Sequence, residues 1–128
     1  MAQIVSISIN EQIAEDMDFL QKQMGFSGRS EIVRAGIRNL ISEYKKIEEI
    51  NGEVEGTLIV THKEQDTDEF ARIKHEIHHL VKTHIHHEIK NHNCMEIMLF
   101  KGKSNDVKDF YKKFASSKKI DSLKIIIY

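Results

Sequence analysis

The residues with the clearest chemical potential in this chain are its histidines. Seven of the eight histidines and the only cysteine, Cys94, lie within residues 75–94, whose sequence is HEIHHLVKTHIHHEIKNHNC, and the eighth histidine, His62, lies shortly upstream. Imidazole nitrogen and thiolate sulfur are the donors that late first-row divalent metals prefer in proteins. The clustering therefore predicts a metal site, and the surrounding sequence should indicate what the metal controls.

Composition limits the classes of protein to which the chain can belong. With 128 residues and a formal net charge of −1, it can form one domain or two small ones, and it lacks an overall charge that would attract nucleic acid or a membrane. One cysteine cannot form an intramolecular disulfide, which favours a reducing compartment. The N-terminus, MAQIVSISIN, lacks the pattern of a signal peptide, and no stretch is apolar enough to span a bilayer. We therefore expect a cytoplasmic protein with no membrane partner.

The elements that must position the donors lie in residues 54–128, beyond a charged linker at 45–53. Periodicity predicts an α+β domain with the order βαββαβ. The predicted strands are 58–62, 84–89, 94–100 and 123–128, and the predicted helices are 66–81 and one that begins at a Ser104 cap and buries Val107, Phe110, Tyr111 and Phe114. This order is typical of a ferredoxin-like (ACT-type) fold, in which two helices cover one face of an antiparallel sheet. The other face then needs a partner.

Side-chain alternation assigns the donors to the faces of this sheet. Met95, Ile97 and Leu99 are predicted to face the core, so the residues between them should face the other way. The polar residues predicted to gather on the face turned away from the helices are His84, His86, Glu88, Cys94 and Glu96. These five residues form the candidate metal site.

The remaining histidines have less specific interpretations. His75 and His79 should lie one turn apart on the preceding helix, with His78 between them at the edge. His87 alternates with isoleucines and is interpreted as a core or subunit-contact residue. His78 and His92 are interpreted as surface residues, with a weaker accessory metal site as the alternative.

Residues 1–44 predict a second, smaller domain. Alternation over residues 4–9 predicts a strand, Asn10 and Gly25 mark the ends of a first helix, and Ser27 is the predicted N-cap of a second helix. One strand and two helices cannot close a core of their own. We therefore expect this strand to pair with its copy in a second chain, which would give an intertwined dimer.

This order of strand, helix, turn and helix, with the turn sequence GFSGRSE, resembles the ribbon-helix-helix family of DNA-binding dimers. In that family the paired strands enter the major groove and the N-terminus of the second helix binds phosphate. The resemblance implies double-stranded operator DNA as a partner. The residues it implies are Ile4, Ser6 and Ser8 at the bases, and Arg29 and Ser30 near the DNA backbone.

The whole chain resembles the nickel-responsive regulator family NikR. The most specific match is Cys94-Met95-Glu96-Ile97 followed by Phe100-Lys101-Gly102, and His75, His86 and Cys94 have the spacing of three family ligands. The resemblance implies a nickel ion in a square plane, with His75 from one subunit and His86 and Cys94 from its neighbour, in a homotetramer built as a dimer of dimers. Glu96 matches an acid that orients a ligand, and His62 matches a further histidine near the site.

The fourth ligand departs from the family pattern, which has histidine where this chain has Glu88. Glu88 offers oxygen instead of nitrogen, which still allows tetragonal nickel or copper but also favours tetrahedral zinc or cobalt. His84 would substitute if the strand shifted by two residues. Further substitute or accessory donors are His62, His78 and His79.

The N-terminal segment also departs from the family pattern. Position 4 is Ile where metal-responsive members usually have Arg, and the potassium-binding pair of acids is incomplete because Ala35 replaces the partner of Glu31. Residues 1–44 carry four cations and six anions and so lack the basic surface of most DNA-binding domains. A dimerisation module that does not read DNA is the alternative interpretation.

The resemblance implies a repressor of metal-uptake genes whose operator affinity rises when metal is bound. A ribbon-helix-helix antitoxin is a second class, disfavoured because residues 54–128 have the periodicity of a full domain. A metallohydrolase using His84, His86 and a carboxylate is a third class, disfavoured because four protein ligands would close the site. We expect no enzymatic activity and no small organic substrate.

Overall fold

The computed structural model describes residues 2–128, so Met1, the first residue of the predicted domain 1–44, lies outside it. One compact unit ends at Lys46 and a second begins at Ile47. The elements are α1 Glu11–Met24, α2 Arg29–Glu48, β1 Glu53–Lys63, a 3-10 turn Glu64–Asp66, α3 Thr67–Glu76, β2 Val81–Ile89, β3 Asn93–Lys103, α4 Ser104–Ser116 and β4 Ile120–Ile127. No helix within residues 2–128 has the length and apolarity needed to cross a membrane.

Both ends of α1 are set by the residues that the sequence indicated. The Asn10 side chain accepts a hydrogen bond from the Ile13 amide at 2.8 Å, which satisfies a free N–H of the first turn. Gly25 ends the helix with a left-handed φ of 72°, and its amide bonds to the Gln21 carbonyl. These two contacts explain why α1 begins and ends where it does.

α2 begins later and ends later than predicted. The Gly28 carbonyl accepts the first helical hydrogen bond at 3.3 Å and the helix begins at Arg29, so the prediction of Ser27 as the N-cap was wrong. The helix continues to Glu48, because the sequence there contains no helix breaker and Ile47 packs into the core of the second unit. The first four residues of the stretch predicted as a linker, 45–53, are therefore helical.

The N-terminal segment of the first unit exposes most of its apolar side chains. Residues 2–10 belong to no helix or strand, and Ile4 is 96% exposed. Other exposed apolar residues of this unit are Val5, Ile7, Ile13, Phe19, Leu20, Met24, Ile37, Leu40, Ile41 and Tyr44. The strand predicted for residues 4–9 was expected to pair with a second chain, and this pairing stays a prediction.

The second unit is a four-stranded antiparallel sheet with α3 and α4 packed against it. The strand order is β2-β3-β1-β4, with β1 paired to β3 along its whole length and to β4 on its other side. This arrangement has the βαββαβ order predicted from the sequence and is compatible with an ACT-like domain. The core residues include Leu58, Val60, Phe70, Ile73, Met98, Phe100, Val107, Phe110, Tyr111 and Phe114.

Two helix boundaries of the second unit differ from prediction. α3 ends at Glu76 rather than at residue 81, and residues 77–80 form turns. Ile77 and Leu80 remain in the core from those turns, which is why their spacing resembled a longer helix. Ser104 is the first residue of α4 and makes no cap, because Lys103 occupies the N-cap position without a side-chain bond.

The faces of β3 are the reverse of the prediction. Cys94, Glu96, Met98 and Phe100 are buried against the helices, whereas Met95, Ile97 and Leu99 lie on the outer face. The prediction was wrong because both faces of this sheet are apolar. The outer face also carries Ile59, Ile85, Ile89 and Ile126, which made the residues on that side of β3 resemble a core stripe. Pairing with the buried residues of β1 decides instead which side chains of β3 face the helices.

Candidate metal centre

Cross-strand pairing brings the predicted donors together at one end of the sheet. His62 in β1 lies opposite Cys94 in β3, which lies opposite Glu88 in β2. Two residues further along β3, Glu96 lies opposite His86. These residues share one face of the sheet. It is the face that the helices cover, and not the opposite face that was predicted, because the two faces of β3 are exchanged relative to the prediction.

Glu96 is the central acid of this group. The residue is 1% exposed, and its carboxylate accepts hydrogen bonds from His86 Nδ1, at 2.5 Å to Oε1 and 2.9 Å to Oε2, and from His84 Nε2 at 3.2 Å. A buried carboxylate is strongly disfavoured unless such donors surround it. A proton on Nδ1 is the one that can donate to this carboxylate, and a neutral ring in that tautomer keeps the Nε2 lone pair; 44% of the His86 side chain is exposed. His86 is thus prepared to donate to a metal through Nε2.

His84 has both ring nitrogens engaged. Lys74 Nζ lies 2.6 Å from Nδ1, Nε2 bonds to Glu96, and the ring packs on Phe70 with centroids 5.6 Å apart. β2 keeps a regular register here, with His84 opposite Met98. The two-residue strand shift that would let His84 replace a missing ligand is therefore not present.

His62 has one free ring nitrogen in a fully buried position. Its ring stacks on Phe70 at 5.2 Å with an angle of 13°, and Nδ1 donates to the Lys63 carbonyl at 2.8 Å. Among the described residues, Nε2 has no hydrogen-bond partner, and it lies 3.7 Å from Oε2 of Glu96. A buried polar nitrogen without a partner is rare and unfavourable. A nitrogen lone pair facing a carboxylate suits a bound cation, so the residues present fit a metal.

Cys94 is a buried thiol in an acidic environment. Burial raises the pKa of the Cys94 thiol above its ordinary value, and the carboxylates of Glu96, Glu64 and Glu88 raise it further. The sulfur is therefore protonated at neutral pH. A nearby divalent cation would reverse this preference, because a metal binds the thiolate.

Three further histidines lie in the last turn of α3 or just beyond it. His75, the predicted ligand from a neighbouring subunit, is exposed at the helix end, and its ring stacks on His78 at 5.7 Å. His78 Nδ1 bonds to the His75 carbonyl at 2.7 Å, and His79 meets His78 edge-on at 5.9 Å. The predicted helical spacing of His75 and His79 was wrong because the helix ends at Glu76. In the described part of the chain, no three His, Cys, Asp or Glu side chains are arranged to hold a metal ion.

The two remaining histidines lie on the surface. His87 is exposed on the outer face of β2 and is not a core residue of the chain; its role as a subunit contact stays a prediction. His92 lies in the β2–β3 turn with a φ of 57°, and its Nδ1 is 3.4 Å from Glu64. Neither residue contributes to the group around Glu96.

The residues assigned to DNA are all accessible. Ile4, Ser6 and Ser8 are exposed in the N-terminal segment, and Ser30 is exposed in the first turn of α2. Arg29 is also exposed, but its guanidinium makes two hydrogen bonds of 2.9 Å to the Asp18 carboxylate. This hydrogen bonding lowers the pKa of Asp18 and raises that of Arg29, so the cation is already partly neutralised.

Two contacts of the site were missed by sequence reasoning. Lys74 and Phe70 both lie on α3 and reach His84 in β2, but neither has a spacing that relates it to a histidine ten or more residues away. Only the packing of α3 on the sheet brings them to the site.

Comparison with known proteins defines the class of this domain. Residues 56–128, more than half of the chain, match the family described as the NikR C-terminal nickel-binding domain. A βαββαβ domain with buried His, Cys and Glu donors is thus a nickel-binding domain by family. The chain belongs to the NikR family, and nickel is the metal for which its C-terminal domain is described.

Relatives of similar length support this assignment. A protein of Methanococcus maripaludis (strain C7) that is named as a nickel-responsive regulator is 29% identical over 126 residues, which span 96% of this chain and 89% of the relative. One from Methanothrix thermoacetophila is 27% identical and spans 94% of this chain and 89% of the relative. A solved structure of an uncharacterised protein from Thermotoga maritima matches 59% of this chain and 96% of its own with a TM-score of 0.54 and 6% identity, which shows the fold alone. The family is one of regulators, so the chain is not an enzyme, as the sequence indicated.

Proposed function

We propose that this chain is a nickel-responsive, DNA-binding transcriptional repressor of metal-uptake genes that acts in the cytoplasm as a homotetramer. The observation that carries the proposal is the orientation of His86. In a domain of the NikR family, the buried Glu96 carboxylate holds Nδ1 of His86 and leaves Nε2 free. A carboxylate that fixes the tautomer of a histidine is the usual support for a histidine that binds metal.

The proposed ligands come from two subunits. His86, Glu88 and Cys94 of one chain would supply nitrogen, oxygen and sulfur, and His75 of a neighbouring chain would supply a second nitrogen. The exposure of His75 at the helix end supports this role, since an exposed ring is accessible to another chain. Of the substitute donors, His62 has a free Nε2, whereas both nitrogens of His84 are engaged. His78 and His79 are accessory candidates near His75.

Bound nickel would supply a charge that stabilises the Cys94 thiolate and a link between subunits. The protein's own residues do the rest: Glu96 orients His86, and burial keeps water from Cys94. Since metal and operator would act through one assembly, each should increase the affinity of the other by the same factor. Glu88 favours a second candidate, a regulator of this family that responds to copper, cobalt or zinc, because a carboxylate oxygen relaxes the preference for nickel.

The N-terminal unit would bind the operator as a ribbon-helix-helix dimer. Ile4, Ser6 and Ser8 would face the bases, and Arg29 and Ser30 would lie near phosphates. The apolar exposure of residues 2–10 supports pairing with a second chain, because burying such side chains is favourable by about 1.5–3 kcal/mol each. Relatives named as regulators align with 94–96% of the chain, which is much more than the C-terminal domain alone.

The test combines metal binding with DNA binding. The purified protein is titrated with nickel, copper, cobalt and zinc while thiolate-to-metal absorption is recorded, and the same samples are assayed on DNA from the promoters of metal-transport genes. We expect nickel to produce the absorption band and to increase DNA affinity, and Cys94→Ala and His86→Ala to abolish both effects. His92→Ala, at an exposed turn, is the matched control and should behave as the parent.

Three results would contradict the proposal. DNA binding that does not respond to any metal would leave only a constitutive DNA-binding protein. Metal binding without any DNA binding would favour the dimerisation module. A Cys94→Ala variant that binds nickel as tightly as the parent would remove the thiol from the site.

A further inference from the structure

The structure contains a continuous chain of hydrogen bonds that reaches the metal centre from α3. Lys74 Nζ lies 2.6 Å from His84 Nδ1, His84 Nε2 lies 3.2 Å from Glu96 Oε1, and Glu96 Oε2 lies 2.9 Å from His86 Nδ1. The four residues come from α3, β2 and β3, so this series of hydrogen bonds runs from a helix to the edge strand of the sheet. Neither Lys74 nor His84 belongs to the proposed ligand set.

The donor and the acceptor of each of these hydrogen bonds follow from the chemistry of Lys74 and of the Glu96 carboxylate. The Lys74 ammonium can only donate, so His84 Nδ1 must accept and the His84 proton must lie on Nε2. The ionised Glu96 carboxylate can only accept, so it takes the Nε2–H of His84 and the Nδ1–H of His86. Each imidazole therefore has one allowed neutral tautomer, and the two tautomers are opposite.

We propose that Lys74 and His84 are positioning residues of the metal centre, which act through Glu96 to keep His86 in the tautomer that leaves Nε2 free. The proposal rests on the proposed function for its meaning, but its geometry involves only residues of this chain. Lys74 selects the tautomer of His84, His84 donates to the Glu96 carboxylate, and the carboxylate then holds His86.

Burial makes this arrangement sensitive to the loss of one member. Glu96 is buried and depends on its two imidazole donors. Without Lys74, the His84 proton is free to move to Nδ1, which would place the Nε2 lone pair against the carboxylate. Repulsion between them would turn the carboxylate and weaken its hold on the His86 Nδ1–H. Phe70 keeps the ring of His84 in place from one side, with centroids 5.6 Å apart, so the ring cannot easily turn away from Glu96.

The position of Lys74 in the sequence also connects this network to His75. Lys74 directly precedes His75, the residue proposed to reach the neighbouring subunit. The same bonds therefore join the end of α3 to the strand that carries His86. A change at Lys74 should affect the orientation of His86 without removing any proposed ligand.

The test compares Lys74→Met with Lys74→Arg in the full-length protein. Met keeps the length of the side chain but cannot donate, whereas Arg retains a cationic donor. Lys112→Met, the same change on an exposed residue of α4, is the matched control. Long-range ¹H–¹⁵N spectra of the imidazoles, recorded on metal-free protein at a pH where the rings are neutral, report the tautomers of His84 and His86 directly.

We expect the parent, Lys74→Arg and Lys112→Met to show Nε2–H at His84 and Nδ1–H at His86. Lys74→Met should show mixed tautomers at both rings and a nickel affinity lower by roughly 10–100-fold, the usual loss when support of a ligand is removed. Circular dichroism of each variant checks that the fold is retained.

Two results would overturn the proposal. If His86 has the same tautomer in Lys74→Met as in the parent, Lys74 does not position it, whatever the nickel affinity. If the tautomers change but nickel affinity does not, the network has no role in metal binding. A parent protein that binds no nickel would instead refute the proposed function, and the tautomer comparison would still decide whether Lys74 orients His86.

Discussion

The two units of this chain differ in how they treat their apolar residues. The second unit buries thirteen residues in one cluster between its sheet and helices. In the first unit, α1 has no buried residue, and the apolar side chains of residues 2–10 are exposed. The second unit therefore closes one core within a single chain, although the outer face of its sheet exposes apolar residues such as Ile85 and Ile126, whereas the first unit leaves most of its apolar side chains exposed. The difference teaches that the core beside Cys94 and Glu96 closes within one chain, whereas the apolar side chains of residues 2–10 are not covered by their own unit.

The largest expected effect is on the self-contained core. Phe110→Ala removes a fully buried ring between α4 and the sheet, where Phe110 contacts Phe100 with centroids 5.1 Å apart. We expect the free energy of unfolding of the second unit to fall by about 3–5 kcal/mol, measured by denaturant titration. Lys112→Ala on the exposed side of α4 should change it little. A loss as small as that of the control would mean that the core is loosely packed.

The opposite behaviour is expected in the first unit. Leu40→Asp places a charge on a side chain that is 66% exposed in the single chain, so the second unit should keep its stability. If Leu40 is buried between chains, the dissociation constant of the dimer should rise by about tenfold or more, since an apolar side chain of this size contributes about 1.5–3 kcal/mol when buried. Sedimentation velocity over a concentration series measures this. An unchanged mass distribution would remove Leu40 from the interface.

A third prediction concerns the donor that departs from the family pattern. Glu88→His restores a nitrogen opposite Cys94 in β2. We expect nickel affinity to rise by about tenfold relative to zinc, because nickel favours nitrogen and sulfur donors in a tetragonal site. Competition titrations of the two metals provide the measurement. An equal change for both metals would mean that residue 88 does not ligate.

The pH dependence of metal binding should report the Cys94 thiol. Because burial and nearby carboxylates raise its pKa, the thiol is protonated at neutral pH and must release its proton to ligate. Nickel affinity should therefore rise with pH, by up to about tenfold per pH unit from this group, until the raised pKa is reached. Calorimetry in buffers of different ionisation enthalpy counts the protons released. Cys94→Ala should release about one proton fewer, and an equal count would exclude the thiolate.

The smallest expected effect is at the surface of the first unit. Asp18→Asn frees Arg29 from its two hydrogen bonds, and since both groups are exposed, stability should hardly change. If Arg29 lies near phosphate, DNA affinity should rise modestly and become more sensitive to salt. Binding isotherms at several salt concentrations test this, with Asp16→Asn as the control. Identical salt dependence in both variants would separate Arg29 from the DNA.

The sequence predicted those parts of the fold that local patterns determine. The two ends of α1, the buried face of α4 and the order of strands and helices in the second unit all follow from caps and periodicity. Local patterns could not show which face of β3 is buried, because Met95, Ile97 and Leu99 are as apolar as the true core residues of that strand. The end of α3 was misplaced because Ile77 and Leu80 are buried from turns.

The candidate site was only partly accessible to the same reasoning. Residue types and spacing identified the family, since His86 and Cys94 lie in a motif of adjacent strands, and the donors they indicate stay a prediction. The roles of Lys74 and Phe70 could not be predicted, because their contacts with His84 depend on how α3 packs on the sheet. The free Nε2 of His62 likewise appears only once its buried surroundings are known.

The most direct test of the central claim is to mix two defective chains. His75→Ala and Cys94→Ala proteins, each unable to form a complete site alone, are unfolded together, refolded as mixed assemblies and titrated with nickel. If the site joins subunits, His75 of the Cys94→Ala chain completes the site that contains Cys94 of the His75→Ala chain. Nickel binding and its thiolate absorption then return in part. If all ligands came from one chain, no mixture would recover binding, and the account would be wrong.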